Sequence, residues 1–264
     1  MTELSPQQNG LERLILAGQV LAARELAERL GPVAGPVLQH LAKHEKSKVR
    51  LLVLELAPLA LSVETSRSVI ALLSDSDPTV HAVAIAVLAV CGQRAVVPDL
   101  LKVLERRPDA EVTTAVIRQI GIAGDQTNIV SIRRYRSNPD PDIAHQASIA
   151  MARLGDETER DEIVAELRSL DPRQRVQGLR DSQYVADQAL AAYFSPALDD
   201  LSDFMVITSP HIEPVIVARV CDIAVQTMAY MGFQFSFAAQ FPARRSAEEL
   251  AEARAVAAAA ARLP

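Results

Sequence analysis

Apolar residues recur along the middle of the chain with a regular spacing. Four segments align without gaps when they are anchored on Val49, Val80, Val112 and Ile143, which lie 31, 32 and 31 residues apart. Positions 0, 3, 4, 7, 8 and 11 after each anchor are apolar in 22 of 24 cases, the exceptions being Gln119 and Gln146. These offsets mark one face of an α-helix and exclude a strand, whose side chains alternate with a period of two.

The residues that separate the apolar segments repeat as well. Gly92, Gly124 and Gly155 follow three of the segments at position 12, where a residue with positive φ commonly ends a helix. Acidic or proline-containing turns, which suit a helix N-terminus, precede three anchors at residues 75–78, 108–109 and 140–142. A second apolar helical stretch follows each glycine. Each repeat is therefore predicted to be an antiparallel helical pair that buries its faces against its neighbours.

The flanking segments predict further helices. Residues 11–30 and 33–43 predict a first helical pair interrupted at Gly31-Pro32. Weaker repeats are anchored on Val176 and Val220, and the intervening residues 195–213 are interpreted as a loop because they contain prolines and acidic residues. Residues 246–249 form a capping-box pattern, which predicts an alanine-rich helix to about Arg262.

These features resemble HEAT-like repeats, and in particular the short bacterial kind first noted in phycobilin lyases. The resemblance rests on the period, the Asp77-Pro78-x-Val80 sequence, the alanine-rich first helix and the glycine after it. It implies an all-α fold, a right-handed α-solenoid whose second helices line a concave surface that holds a partner. We predict a single domain: a helical pair at 1–44, regular repeats at 45–170, degenerate repeats and an aromatic-rich cap at 171–245, and a C-terminal helix at 246–264.

Composition narrows the possible functions. The 264 residues carry a net charge of −6, which argues against a dedicated nucleic-acid binder despite local basic stretches such as Arg106-Arg107. The sequence predicts neither a membrane span nor a secretory signal. The two cysteines, Cys91 and Cys221, are expected to be free thiols in a cytoplasmic protein.

No catalytic constellation emerges from the sequence. A di-iron centre of the deoxyhypusine hydroxylase type requires several His-Glu pairs, whereas only His44-Glu45 is present. The acidic residues 199–203 lack the glycine and terminal glutamate of a calcium loop. Cys91 occupies an inward-facing repeat position and is interpreted as a buried hydrophobe. We therefore expect no metal site, cofactor or catalytic residue.

One repeat departs from the pattern in its second helix. Two positions that are apolar in the neighbouring repeats are Arg133 and Arg136 here, and they flank Arg134 and Tyr135. One interpretation is a basic patch that binds an acidic group of a partner. The alternative is a register shift that turns Ile129 and Ile132 inward, with the aliphatic parts of the arginines packed beside them.

Nine of the ten aromatic residues follow residue 183, and the tenth is Tyr135. Phe233, Phe235 and Phe237 alternate, so their rings would share one side of an extended chain. They are interpreted either as a cap over the last repeat or as an exposed aromatic patch that anchors a partner.

Taken together, the sequence predicts a non-catalytic, bacterial protein-binding module of cytoplasmic location, such as an adaptor, a regulator or a neutralising immunity partner. The candidate contact residues are Arg133, Arg134, Tyr135, Arg136, Phe233, Phe235 and Phe237. A client-modifying enzyme similar to a phycobilin lyase is the first alternative, and a nucleic-acid-binding protein is a weaker one. The sequence does not identify the partner or the oligomeric state.

Overall fold

A computed structural model of the chain describes residues 4–209, 212–239 and 243–260. It divides into two compact units, residues 1–150 and 151–264, and the division falls inside one helix. The predicted single-domain organisation stays a prediction. Phe241, Arg262 and the predicted end of the C-terminal helix lie outside the described residues.

Fifteen α-helices and one β-hairpin account for the regular structure of the described residues. In the first half of the chain the helices are α1 (Pro6–Leu16), α2 (Val20–Leu30), α3 (Gly35–Leu41), α4 (Ser47–Leu56), α5 (Val63–Leu72), α6 (Pro78–Leu88), α7 (Val97–Glu105), α8 (Ala110–Ala123) and α9 (Ile129–Arg133). They are followed by α10 (Pro141–Arg153), α11 (Glu157–Leu167), α12 (Pro172–Val185), α13 (Ser195–Leu198), β1 (Asp203–Ser209), β2 (Ile212–Arg219), α14 (Val220–Tyr230) and α15 (Ala247–Ala260). Short 3₁₀ turns precede several second helices, as at Arg94–Val96 and Gln126–Asn128.

The predicted repeats correspond to the helical pairs that start at α4, α6, α8 and α10. Aspartates cap the last three of these helices as expected: the Asp77 carboxylate accepts the N–H groups of Thr79 and Val80, Asp109 accepts that of Val112 at 2.9 Å, and Asp140 accepts that of Asp142. Of the 24 predicted inward positions, 20 are buried, including those of Gln119 and Gln146. In the first unit α4 packs on α6, α5 on α6 and α7, and α8 on α6 and α7, so the stacking of the pairs builds a continuous apolar core.

An arginine–aspartate pair links one repeat to the next in each unit. Arg50 donates to the Asp75 carboxylate through Nε at 2.6 Å and Nη2 at 2.8 Å, and to the His44 carbonyl through Nη1. Asp75 also accepts the N–H of Asp77. This carboxylate therefore orients the turn that precedes α6 while it holds the guanidinium of α4.

The same arrangement recurs in the second unit. Arg175 donates to the carbonyl of Ser169, six residues earlier, and to the carboxylate of Asp200, 25 residues later, with the sequence separations found at Arg50. Asp200 accepts the N–H of Ser202, as Asp75 accepts that of Asp77. Arg50 lies one residue after the anchor Val49, whereas Arg175 lies one residue before the predicted anchor Val176. Because the two arginines occupy equivalent positions, the fifth repeat starts two residues earlier than its predicted alignment.

The predicted loop at residues 195–213 was wrong in part. Helix α13 occupies its start, and β1 and β2 then form an antiparallel hairpin in which Val206 faces Val217. The N–H of Val220 donates to the carbonyl of Ser202 at 3.2 Å, and that of Cys221 donates to Asp200 at 3.0 Å. Residues 203–219 are thus inserted into the turn that joins α13 to α14.

Two further predictions are corrected. The first helical pair is three helices, because α1 ends near Gly18, which adopts φ +68°, and α2 starts at Val20. The glycines at position 12 do not share one role. Gly155 has φ +99° as expected, but Gly124 has φ −81°. A Cβ atom on Gly124 would lie 2.5 Å from the Ile120 carbonyl oxygen, so close packing explains why this residue is a glycine.

A buried ionic network joins the end of the hairpin to the segment before α15. Asp222 is 1% exposed, and its carboxylate accepts Nε and Nη2 of Arg219 and the backbone N–H of Arg245. Burial opposes ionisation, but these hydrogen bonds keep the pKa of Asp222 below its usual value. The helices α12, α14 and α15 pack with Phe194 into the apolar core of this unit.

Candidate binding surface

The candidate basic residues lie at the end of α9 and in the turn after it. Ile129 and Ile132 are both buried, so the inward positions are taken by isoleucines, as the register-shift interpretation requires. Helix α9 ends at Arg133, and a succession of tight turns leads to Asn138-Pro139. A residue that precedes proline disfavours helical backbone, so the helix is not expected to extend through Asn138.

Tyr135 fixes the position of this turn. Its hydroxyl donates to the carbonyl of Leu104 in the preceding repeat, at 3.3 Å. The guanidinium of Arg134 lies 5.0 Å from the centre of the tyrosine ring and donates to the same hydroxyl oxygen at 3.1 Å. Arg133 and Arg134 are exposed, whereas Tyr135 and Arg136 are half-buried. The turn therefore presents one cation, Arg134, on a tyrosine that is tied to the repeat before it.

A cavity of about 540 Å³ opens beside Tyr135 and Arg134. Its other lining residues include Arg107, Glu105 and Asn138. Arg107 adopts φ +54°, a left-handed conformation that is rare for residues other than glycine and that often occurs at functional sites. Arg107 was noted in the sequence only as part of a basic stretch. Its place in the cavity depends on how the α7–α8 turn lies against the turn after α9, which no local pattern reveals.

The C-terminal phenylalanines lie elsewhere, in the second unit. Phe233, Phe235 and Phe237 are half-buried against the core of that unit, and the rings of Phe235 and Phe237 stack with centroids 5.1 Å apart. Arg245 lies over the Phe237 ring at 5.3 Å. Ser236 between them binds the carboxylate of Glu252 on α15. These rings are therefore partly covered by the core of their own unit.

The remaining candidate chemistry is buried or dispersed. Cys91 and Cys221 are buried free thiols, and burial raises the pKa of each to about 11, so both stay protonated and non-nucleophilic at neutral pH. Among the described residues, no group of three or more His, Cys, Asp or Glu side chains converges to hold a metal ion. None of the helices in the described ranges is both long and apolar enough to cross a membrane.

Comparison with known proteins confirms the class of fold. Residues 66–152 match the HEAT repeats family. The chain is also similar to a structure described as the complex of CpcE and CpcF of phycocyanin lyase from Nostoc sp. PCC7120, with a TM-score of 0.51, 15% identity and coverage of 98% of this chain and 97% of that one. No match is found among curated proteins. The predicted resemblance to phycobilin-lyase-type HEAT-like proteins and the predicted all-α solenoid class are thereby confirmed.

Proposed function

We propose that this protein is a non-catalytic binding module that holds another protein, as an adaptor, a regulator or a neutralising partner. The observation that carries the proposal is the end of α9 and the turn after it, where Arg133 and Arg134 are exposed and Arg134 lines a cavity together with Arg107 and Tyr135. Arginine and tyrosine are the residue types that most often contribute binding energy at protein interfaces. The group they suit is an acidic side chain, because a guanidinium pairs with a carboxylate through two hydrogen bonds.

The similar structure supports a protein partner in one respect. That structure is a complex of CpcE and CpcF, so a fold of this kind is seen there bound to another protein. That CpcE and CpcF belong to a phycocyanin lyase also motivates the alternative, a client-modifying enzyme. One feature of this chain favours the non-catalytic proposal over it: both thiols are buried and protonated, so neither is a ready nucleophile.

The test is to recover a partner from the native cell with the tagged protein and to identify it. The affinity of this protein for the purified partner is then measured. Replacing Arg133 and Arg134 by Glu should weaken binding by about tenfold or more, because charge reversal turns attraction into repulsion. A matched control makes the same charge change at Arg24 and Arg29, which are exposed on α2. Equal binding by both folded double variants would contradict the assignment of this site.

Two simple measurements address the alternatives. A bound chromophore would give the purified protein a visible absorbance band, which would support the enzyme. Binding to a mixed DNA duplex that weakens steeply with salt would support the nucleic-acid alternative, because phosphate contacts release counterions. We expect neither result.

A further inference from the structure

The cavity beside Tyr135 combines an apolar side with a charged rim. Pro108 and the ring of Tyr135 are half-buried, and the buried residues Leu104 and Ile143 complete the apolar part of the lining. The cavity volume of about 540 Å³ falls within the range of roughly 300–1,000 Å³ found for ligand pockets. We call it the arginine-rimmed cavity. The charged residues of its lining are all exposed: Glu105, Arg107 and Arg134.

One carbonyl group holds both of the turns that carry these arginines. The carbonyl oxygen of Leu104, near the end of α7, accepts the backbone N–H of Arg107 at 3.2 Å and the hydroxyl of Tyr135 at 3.3 Å. The hydroxyl oxygen of Tyr135 also accepts a hydrogen bond from Nη2 of Arg134. Because the two turns share this acceptor, less ordering is required when a partner binds between them.

Arg107 occupies a position that favours glycine. It follows the end of α7 with φ +54°, and the residue that ends a helix in this left-handed conformation is usually glycine. A larger residue here destabilises the folded state. Within the described ranges, the guanidinium of Arg107 makes no hydrogen bond or ion pair that would offset this cost. Its charge is therefore available to a partner at the rim of the cavity.

The charge of the rim favours a carboxylate over a phosphate. Arg107 and Arg134 carry two positive charges and Glu105 carries one negative charge, which leaves one net positive charge. A carboxylate carries a single negative charge, whereas a phosphate monoester carries about −1.5 to −2 at neutral pH. Glu105 also repels a second anion. These charges suit one acidic side chain of a protein.

We propose that the arginine-rimmed cavity binds two neighbouring residues of a protein partner, a large apolar or aromatic residue and an acidic residue beside it. The apolar side chain lies against Pro108 and the ring of Tyr135, where its burial removes apolar surface from water. The carboxylate pairs with Arg107 and with those N–H groups of Arg134 that Tyr135 does not accept. The inference rests on the proposed function, and it adds which pair of residues in the partner is recognised.

The test titrates three blocked peptides into the full chain labelled with ¹⁵N. The probe acetyl-Ser-Phe-Glu-Phe-Ser-amide has an aromatic residue on each side of the acid, so either order of the two residues is offered. It should shift the backbone resonance of Tyr135 and the side-chain NH₂ resonances of Asn138, which also lines the cavity. Replacing both phenylalanines of the probe by alanine, or its glutamate by glutamine, should weaken binding by about fivefold or more. Equal affinities of the three peptides, or unchanged resonances at millimolar probe, would overturn the proposal.

A variant of Arg107 separates binding from stability. Arg107→Gly should raise the melting temperature by a few degrees and weaken binding of the probe by about fivefold, because it relieves the strained backbone and removes a cation. The matched control Ala186→Gly relieves the same conformation in the second unit and should leave binding unchanged. If Arg107→Gly binds the probe as tightly as the wild type, Arg107 has no role in binding and the proposal is wrong.

A second variant tests the sign of the charge at the rim. Glu105→Gln should tighten binding of the probe by about two- to fivefold because it removes a repelling charge, whereas Glu28→Gln on the exposed side of α2 should not. Unchanged binding by Glu105→Gln would contradict the placement of the carboxylate. If the peptides fail to bind while charge reversal at Arg133 and Arg134 still weakens binding of the native partner, this inference is wrong and the proposed function stands.

Discussion

The pair Arg50–Asp75 should contribute strongly to stability. Its side chains are only 12% and 8% exposed, and two hydrogen bonds of 2.6 and 2.8 Å join them. Arg50→Ala would leave a nearly buried carboxylate without its cation. Removal of one member of a buried ion pair costs several kcal/mol, and we expect the free energy of unfolding to fall by about 3 kcal/mol.

The assay is urea unfolding followed by circular dichroism, with a matched control. The pair Arg67–Asp99 joins neighbouring helices at 3.0 Å in the same unit, but its side chains are 48% and 28% exposed. Arg67→Ala should therefore cost less than about 1 kcal/mol. Equal costs for the two substitutions, or a cost below about 1 kcal/mol for Arg50→Ala, would refute the argument that burial makes the first pair strong.

The same pair predicts a dependence on pH. The hydrogen bond from Arg50 is the largest cause that lowers the pKa of Asp75 below its usual value. A carboxyl whose pKa is lower in the folded state stabilises the fold above its unfolded pKa of about 3.9. This contribution is lost as the pH falls through the lower, folded pKa. The difference in stability between the wild type and Arg50→Ala should therefore be largest at neutral pH and shrink below about pH 4.

Three further predictions concern the second unit and the thiols. Ala186 ends α12 with φ +57° and is exposed, so Ala186→Gly should raise the free energy of unfolding by roughly 0.5–1 kcal/mol in urea titrations; a loss of stability would contradict the strain argument. Asp222→Asn should lower it by about 3 kcal/mol, because the Arg219 guanidinium loses its buried carboxylate; a change within 0.5 kcal/mol, about that of an ordinary surface substitution, would contradict this. Cys91 and Cys221 should react with iodoacetamide only after unfolding, as mass spectrometry would show, and rapid labelling of the folded protein would refute their burial.

The sequence predicted the regular repeats well because three local signals coincide there. The apolar period, the capping aspartates such as Asp77 and Asp109, and the glycines after the helices all specify the same boundaries. The predicted alignment of the fifth repeat was wrong because some of the inward-facing positions of this repeat are polar. Asp181 and Ser182 are buried on α12, where Asp181 accepts a hydrogen bond from Gln177 and Ser182 donates one to Gly178. An alignment that rewards apolar residues selects Val176 instead.

The hairpin was missed for a different reason. Its strands contain runs of β-branched residues, Val206–Thr208 and Val215–Val217, which favour strands. The loop was predicted from the prolines and acidic residues in and around these runs. One of these prolines, Pro214, lies inside β2. The place of the insertion could be found only from the hydrogen bond between Val220 and Ser202, which is a contact between distant positions.

The candidate binding surface also depends on contacts between distant positions, which the sequence does not reveal. The sequence identified this turn because Arg133 and Arg136 break an apolar pattern, and Arg134 and Tyr135 lie between them. It could not show that Arg107 lies beside them, because this contact depends on two turns from different repeats. The sequence shows that Gln119 is a polar residue at a position that is apolar in most repeats. That its side-chain amide has no hydrogen-bond partner among the described residues depends on the surrounding residues and could not be predicted.

The insertion of residues 203–219 has a consequence for how this chain can be altered. The repeat continues on either side of the hairpin, with Asp200 holding Arg175 before it and Val220 bonded to Ser202 after it. The turn between two helical pairs therefore tolerates a lengthy excursion without loss of the pairing that spans it. The equivalent turn in the first unit, between Asp75 and Pro78, has the same bond between arginine and aspartate and no insertion. It is the natural place to graft a reporter peptide or a second binding loop onto this scaffold.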